Sequence, residues 1–107
     1  MATTCEALWM GVPVITLAGS HHRSRVGASL LTNAGLPEFV APTRDAYIQF
    51  AATLGADLSR LANLRTTMRE RMQQSALMDA QRFAHAFESS LRDVWRNWCE
   101  QHAKRGA

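Results

Sequence analysis

A helix stop followed at once by a strand-like run constrains the first part of this chain of 107 residues. Gly11 can take the left-handed conformation that closes a helix, and Pro13 cannot continue one. The apolar, β-branched run Val14–Leu17 follows, which is typical of a short strand that is buried on both faces. The pattern predicts a helix, a tight turn and a buried strand.

The start of that helix carries the polar residues. Thr3 and Glu6 have the T-x-x-E spacing of a capping box, in which both side chains bond the first backbone N–H groups. The same start could instead hold a ligand, because free N–H groups and the positive end of a helix dipole bind phosphate. The carboxylate could also accept hydrogen bonds from sugar hydroxyls. The residues alone leave both interpretations open.

The rest of the chain adds one more short strand to a series of amphipathic helices. Leu36–Ala41 is apolar and ends at Pro42, which predicts a parallel pair of Val14–Leu17 beside Phe39–Ala41, joined by a crossover helix. Capping residues precede the later helices; they are Ser24, Thr43, Asp57 and Asp79. The pattern predicts an α/β fold with about five helices, and the last of them should span about residues 79–102.

The last helix carries a large aromatic stripe. Its members recur every three or four residues and share one face: Phe83, Phe87, Leu91, Trp95 and Trp98. We expect the first three to pack inside the chain and the two tryptophans to stay partly exposed, with Trp9 in the core. Two short strands make a poor sheet alone, so these features indicate a part of a larger α/β domain.

Composition narrows the class of protein. Hydrophobic residues make up 47% and charged residues 20%, which is typical of a globular domain, and no apolar run reaches the length of a membrane span. Cys5 and Cys99 lack a disulfide or zinc pattern, which favours free thiols in the reducing cytoplasm. The net charge is +3. The second half of the chain is the more basic one, which fits either nucleic-acid binding or helix faces exposed to solvent.

The loop after the first strand is a second place where a ligand could bind. Ala18–Arg23 follows the carboxyl end of a strand, where doubly wound sheets hold their ligands. His21 and His22 could transfer protons or face solvent, and as adjacent side chains they seldom converge on one metal ion. Arg25 could contact a phosphate or an acidic substrate, or it could pair with a carboxylate and pin the next helix. The sequence assigns none of these roles.

The run T-T-C-E-A-L-W-M-G-V-P-V resembles the C-terminal catalytic half of the O-linked N-acetylglucosamine transferases. It is most similar to their bacterial homologues, which carry tetratricopeptide repeats, and to the SPINDLY-like members. The likeness covers nearly the whole chain, since it continues in five shorter blocks: Ser24–Leu31, Gly35–Glu38, Asp45–Tyr47, Arg82–Phe83 and Trp95–Trp98.

This resemblance implies that residues 1–107 are a single helix-rich fragment of the C-terminal, Rossmann-like domain of a GT-B glycosyltransferase. Family members are inverting enzymes that move N-acetylglucosamine from UDP-GlcNAc to Ser and Thr of proteins, with no cofactor or metal. Aligned on Gly11–Pro13, Glu6 falls on the acidic residue that bonds the ribose hydroxyls. Thr3 and Thr4 fall in the stretch that holds the diphosphate.

The resemblance places no catalytic residue in this chain. The family's phosphate-neutralising lysine and uracil contacts lie upstream, its candidate base lies in the other catalytic domain, and Met1 and Ala2 stand where it has a histidine. The fragment should therefore be inactive alone. Its implied partners are the nucleotide-sugar donor, an acceptor protein, and the upstream catalytic domain and repeats of its own chain. The last helix would pack against the first catalytic domain.

Two other functions stay open at this point. One is a protein N-glucosyltransferase of the same family that uses UDP-glucose. The other is a helical module without enzymatic activity that binds protein or nucleic acid, which the basic second half suggests. For the transferase, neither a nucleic acid nor a membrane is an expected partner.

Overall fold

The computed structural model describes residues 1–106, which form five α-helices and two short strands. In chain order they are α1 (Ala2–Trp9), β1 (Thr16–Leu17), α2 (His22–Asn33), β2 (Val40–Ala41), α3 (Arg44–Ala56), α4 (Leu58–Gln73) and α5 (Ala80–Arg105). Two 3-10 turns, Pro37–Phe39 and Ala76–Met78, precede β2 and α5. The last position of the predicted fragment, residue 107, lies outside the described residues.

The two strands pair in parallel, as predicted. Thr16 lies opposite Val40 and Leu17 lies opposite Ala41, and α2 forms the crossover between them. Both strands are shorter than expected, because Val14 and Ile15 precede the ladder and a 3-10 turn replaces the start of the second strand. The prediction that β1 is buried on both faces is wrong, since Leu17 is 40% exposed.

Helix ends follow local sequence signals at most positions. Gly11 and Gly35 have φ values of +79° and +74°, and both close their helices in Schellman fashion. The bonds that show this run from Val12 N to Ala7 O (2.9 Å) and from Leu36 N to Leu31 O (2.8 Å). Thr43, Asp57 and Asp79 each accept a hydrogen bond from the backbone N–H three residues ahead, as predicted.

Ser24 is an exception among the predicted caps. α2 begins at His22 with His21 at the N-cap, so Ser24 lies inside the first turn. Its hydroxyl accepts a hydrogen bond from His21 N (3.1 Å) and donates one to His21 O (2.8 Å). A serine three residues after the N-cap can bond the N-cap backbone from inside the helix. The sequence alone does not distinguish such a serine from one at the N-cap.

The core lies where α1, α2 and α4 meet the turn before β2. Its buried apolar side chains include Leu8, Leu31, Leu36, Phe39, Leu64, Met68 and Met72. Trp9 was expected in this core but lies half-buried beside it. Its ring packs against the core and also carries the Arg69 guanidinium, whose carbon lies 5.1 Å from the ring centroid, so a cation as well as apolar side chains borders it.

α5 projects away from the core. With α5 included, the structure extends 68 Å along its longest axis. The helix contacts the rest of the described residues chiefly through the 3-10 turn Ala76–Met78. The expectation that Phe83, Phe87 and Leu91 pack inside the chain is wrong, since they are 67%, 55% and 55% exposed. Trp95 and Trp98 are exposed, as expected, at 63% and 50%.

The tryptophans should report this difference in exposure. In single-tryptophan variants, we expect acrylamide to quench Trp95 and Trp98 several-fold more steeply than Trp9, because only Trp9 is shielded by a neighbouring element. Stern–Volmer slopes measured on the monomer would check this. If Trp95 and Trp98 were as protected as Trp9, then another part of the chain would cover α5.

Candidate functional site

The carboxyl end of α1 is fixed against α4. Gly11 lies against the backbone of Arg65, so closely that a Cβ on Gly11 would fall 2.6 Å from Arg65 O. One turn further along α4, Arg69 Nε donates to Trp9 O at 3.1 Å. That bond satisfies a carbonyl left over at the helix end. α1 is thereby positioned from its last turn, and its first turn remains at the surface.

The predicted capping box at the start of α1 does not form. The helix begins at Ala2 with Met1 at the N-cap, and no side chain caps it. Thr3 is therefore the second helical residue and cannot act as the N-cap. Thr3 and Glu6 are exposed and Thr4 is half-buried. Consequently, the hydroxyl of Thr3 and the carboxylate of Glu6 do not cap the helix.

The first turn of α1 brings donors and an acceptor close together. The first intrahelical hydrogen bond runs from Cys5 N to Met1 O (3.2 Å). The amides of Thr3 and Thr4 precede that bond, so they belong to the group of N–H donors that a helix start leaves free. Glu6 lies three residues after Thr3 and shares its face. An anion and a hydroxyl-bearing group could bind side by side here.

Two hollows flank this first turn, and Cys5 lines both of them. On one side a groove of about 300 Å³ is bounded by Glu6, Trp9, Met72 and Met78. It is apolar apart from Glu6, which suits a ring that carries hydroxyls on one edge. On the other side a cleft of about 270 Å³ lies between α1 and α2.

The α1–α2 cleft contains two of the residues whose roles the sequence left open. His22 and Arg25 line it from the first turn of α2. Neither salt bridge of the described residues involves Arg25, so the carboxylate pair considered for it is not formed. Its Nη1 donates instead to Gly19 O at 3.0 Å. His21 has its ring Nδ1 3.1 Å from Ser20 Oγ.

The sequence pattern singled out the first turn of α1 as a candidate site but did not predict the contacts around it. The contact from Arg69 to Trp9 joins residues 60 positions apart, and no short-range pattern predicts it. The bond from Arg25 to Gly19 spans six positions and joins a helix to the preceding loop, which periodicity does not show. Residues 1–106 contain no group of three His, Cys, Asp or Glu side chains that could hold a metal ion.

Comparison with known proteins identifies the family. The model of glycosyl transferase family 41 matches residues 1–87. The chain belongs to this family. The family 41 match includes the first turn of α1, the α1–α2 cleft and the whole core cluster, and it ends within α5.

Plant and animal relatives of this family 41 chain have related names. A probable UDP-N-acetylglucosamine–peptide N-acetylglucosaminyltransferase SPINDLY of Hordeum vulgare is 46% identical over 92% of the chain, which covers 10% of that relative. The protein of the same name from Arabidopsis thaliana is 43% identical. A UDP-N-acetylglucosamine–peptide N-acetylglucosaminyltransferase of Caenorhabditis elegans is 35% identical over 90% of the chain and 8% of its own length.

A solved structure shares the fold. The chain superposes on a mutant of the Thermobaculum terrenum O-GlcNAc transferase with a TM-score of 0.82 and 42% identity. The match covers 94% of this chain and 19% of that one. It confirms the predicted fold class, a helix-rich piece of the C-terminal Rossmann-like domain of a GT-B glycosyltransferase. The chain thus spans between about a tenth and a fifth of the relatives it matches.

Proposed function

We propose that this chain is part of a glycosyltransferase that moves N-acetylglucosamine from UDP-GlcNAc to Ser or Thr of proteins, with inversion at the sugar. Its own contribution is to the donor. The start of α1 holds the diphosphate through the amides and hydroxyls of Thr3 and Thr4, and Glu6 accepts hydrogen bonds from the ribose hydroxyls. No cofactor beyond the donor is required.

The observation that carries this proposal is that α1 does not use Thr3 and Glu6 to cap itself. A capping box would occupy both side chains, yet both are exposed on one face of the first turn. They also fall in the stretch that matches the family model. An exposed carboxylate beside an apolar groove and free amides is suited to a ribose that carries a diphosphate.

Chemically, this part of the enzyme would stabilise the departing diphosphate and orient the donor. Helix amides provide fixed dipoles at the position where negative charge accumulates as the sugar–phosphate bond breaks, and such preorganised donors lower the barrier. The groups that take the acceptor proton would come from elsewhere in the full-length protein. By itself this chain should therefore bind a donor weakly and transfer no sugar.

Replacing Glu6 tests the proposal directly. In the full-length protein, Glu6→Ala should weaken UDP binding by about 2–3 kcal/mol, which is roughly 30- to 150-fold, because charge-assisted bonds to ribose are lost. Stability should change by no more than about 0.5 kcal/mol, because the side chain makes no cap. Isothermal titration and a thermal melt measure the two effects.

Glu70→Ala is the matched control, since it removes an exposed carboxylate on α4 whose partner is Gln74. It should leave UDP affinity unchanged. If Glu6→Ala kept full affinity and lost stability, then Glu6 would be a structural residue and the proposed site would be wrong. Competition by UDP-GlcNAc and UDP-glucose in the same titration identifies the sugar, and tighter binding of UDP-glucose would favour the N-glucosyltransferase.

We propose that α5 packs on the upstream catalytic part of the same chain. Its aromatic face is exposed along more than three turns, from Phe83 to Trp98, and exposed patches of that kind mark a docking surface.

A search of the described helices for a segment with the length and hydropathy of a membrane span found none. Cys5 and Cys99 are both free, which supports a cytoplasmic location as part of this proposal.

Nucleic-acid binding has less support, because two arginines of the basic second half are engaged within the fold. Arg71 Nη2 pairs with Glu38 Oε1 at 3.1 Å and also donates to Gly35 O at 2.9 Å. Arg69 covers Trp9 and bonds its carbonyl. These cations hold α4 against α1 and the turn before β2, so they are not free to line a phosphate backbone.

A further inference from the structure

The loop between β1 and α2 is held in one arrangement by the helix that follows it. Gly19 N donates to Ser24 O at 3.2 Å, and Arg25 Nη1 donates to Gly19 O at 3.0 Å. The loop glycine is thus bonded to α2 through both its backbone groups. A Cβ on Gly19 would collide with Cβ and Oγ of Ser24, so the position has no room for a side chain.

Arg25 is anchored by this loop and still has hydrogen-bonding capacity. A guanidinium carries five N–H donors in a rigid planar fork, and the bond to Gly19 O uses one of them. The side chain is exposed and lines the α1–α2 cleft together with Cys5. An exposed arginine that is fixed at one nitrogen keeps its other donors for a ligand, and it is preorganised to bind an anion because less side-chain freedom is lost on binding.

We infer that Arg25 is a further donor-binding residue, whose guanidinium bonds the diphosphate of the nucleotide sugar across the α1–α2 cleft. This inference rests on the proposed function, which puts the diphosphate at the first turn of α1. The loop carbonyl of Gly19 aims the guanidinium, and Cys5 marks the point where the cleft meets that turn. The diphosphate would then lie between helix amides on one side and a guanidinium on the other.

Among the groups of a nucleotide sugar, the diphosphate best matches the charge that lines the cleft. Arg25 is the cation among its lining residues, His22 and Ser29 are the other polar ones, and the rest of the lining is apolar, with no carboxylate. Bidentate pairing with phosphate oxygens is the recognition mode for which a planar guanidinium is best suited. A neutral sugar hydroxyl would not need a fixed cation at this place.

Four substitutions in the full-length protein test the assignment by isothermal titration with UDP. Arg25→Ala should weaken UDP binding about 10-fold or more, the loss of a charge-assisted hydrogen bond. Arg25→Lys keeps the charge and should retain part of the affinity. Arg25→Gln keeps a neutral donor for Gly19 O and should bind as weakly as alanine. Arg23→Ala, the control, removes an equal charge from another face of α2 and should change affinity less than about twofold.

Each outcome decides the matter. If Arg25→Gln restored UDP affinity, or if only the melting temperature moved, then Arg25 would serve to hold the loop and the inference would be overturned. Equal losses in Arg23→Ala and Arg25→Ala would likewise overturn it, since they would reflect net charge. If the unsubstituted protein failed to bind UDP, the proposed function itself would fall. If UDP bound, Glu6→Ala weakened it and Arg25→Ala did not, only this inference would fall.

Discussion

Replacing Gly11 by alanine should lower the free energy of unfolding by about 3 kcal/mol or more. Two costs add at this position. Its φ of +79° is in the left-handed region, which disfavours any residue with a Cβ. The added Cβ would also lie 2.6 Å from Arg65 O and 2.9 Å from Arg65 Cα. Both are backbone atoms, so no side-chain rotation relieves the contact and α1 must move away from α4.

Gly35→Ala is the matched comparison. Gly35 has nearly the same φ, +74°, and ends α2 as Gly11 ends α1, but a Cβ there meets nothing within 4 Å. Only the conformational cost of about 1–2 kcal/mol should remain. Urea unfolding of the two variants would measure the difference, which isolates the close approach of α1 to α4. Equal losses of unfolding free energy in the two variants would mean that α1 and α4 are farther apart at Gly11 than the structure shows.

The junction at Gly11 also bears on the proposed site. It fixes the end of α1 against α4, while Thr3 and Glu6 lie at the other end of the same short helix. A shift of the last turn is carried to the first turn, because an eight-residue helix moves as one body. We therefore expect Gly11→Ala to weaken UDP binding in the full-length protein as well, although it touches no ligand.

Replacing Phe39 by alanine should cost about 3–5 kcal/mol of unfolding free energy, the usual range for a fully buried phenylalanine. Phe39 is 1% exposed and meets Phe50 edge to face, with 5.6 Å between ring centroids. It lies at the turn before β2, where α2 and α3 converge, so the cavity would open at the centre of the small core. A two-state urea titration with an unchanged slope would give the value.

Phe83→Ala is the same chemical change on the exposed face of α5. In the 107-residue chain its side chain is 67% exposed and, among the described residues, stacks on Phe87 with centroids 6.0 Å apart, so we expect a loss of no more than about 0.5 kcal/mol. A large loss at Phe83 that depended on protein concentration would indicate that a second copy covers α5. Measured on these 107 residues, a large loss independent of concentration would mean that α5 folds back onto the core described here and not onto the upstream catalytic part.

Local sequence signals predicted the features that depend on a few neighbouring residues. Gly11 ends its helix as predicted and Gly35 ends α2 in the same way, because a left-handed position is a property of one residue and its two neighbours. Thr43, Asp57 and Asp79 cap as predicted for the same reason. Ser24 shows the limit of such signals, because a serine at the N-cap and a serine three residues later both bond the first turn of a helix, and the residue type does not tell which position it holds.

The resemblance to a family predicted where the donor would bind, and that remains a prediction, but it did not predict how the first turn of α1 is built. The capping box was wrong because the residue that begins a helix depends on the chain before it, which a four-residue motif does not include. α5 was misjudged because periodicity tells which residues share a face and says nothing of what covers that face.

The order of helices and strands, the helix stop at Gly11 and the caps at Thr43, Asp57 and Asp79 thus followed from the sequence itself, since each rests on torsional preferences and periodicity over a few residues. The parallel strand pair followed from the handedness of crossover connections. The tertiary structure alone decided that Arg69 bonds the end of α1, that Arg25 bonds Gly19 O and lines the α1–α2 cleft, and that α5 stands away from the core. These contacts join positions up to 60 residues apart. They depend on how whole helices pack, which is a balance of buried area and backbone geometry summed over the chain.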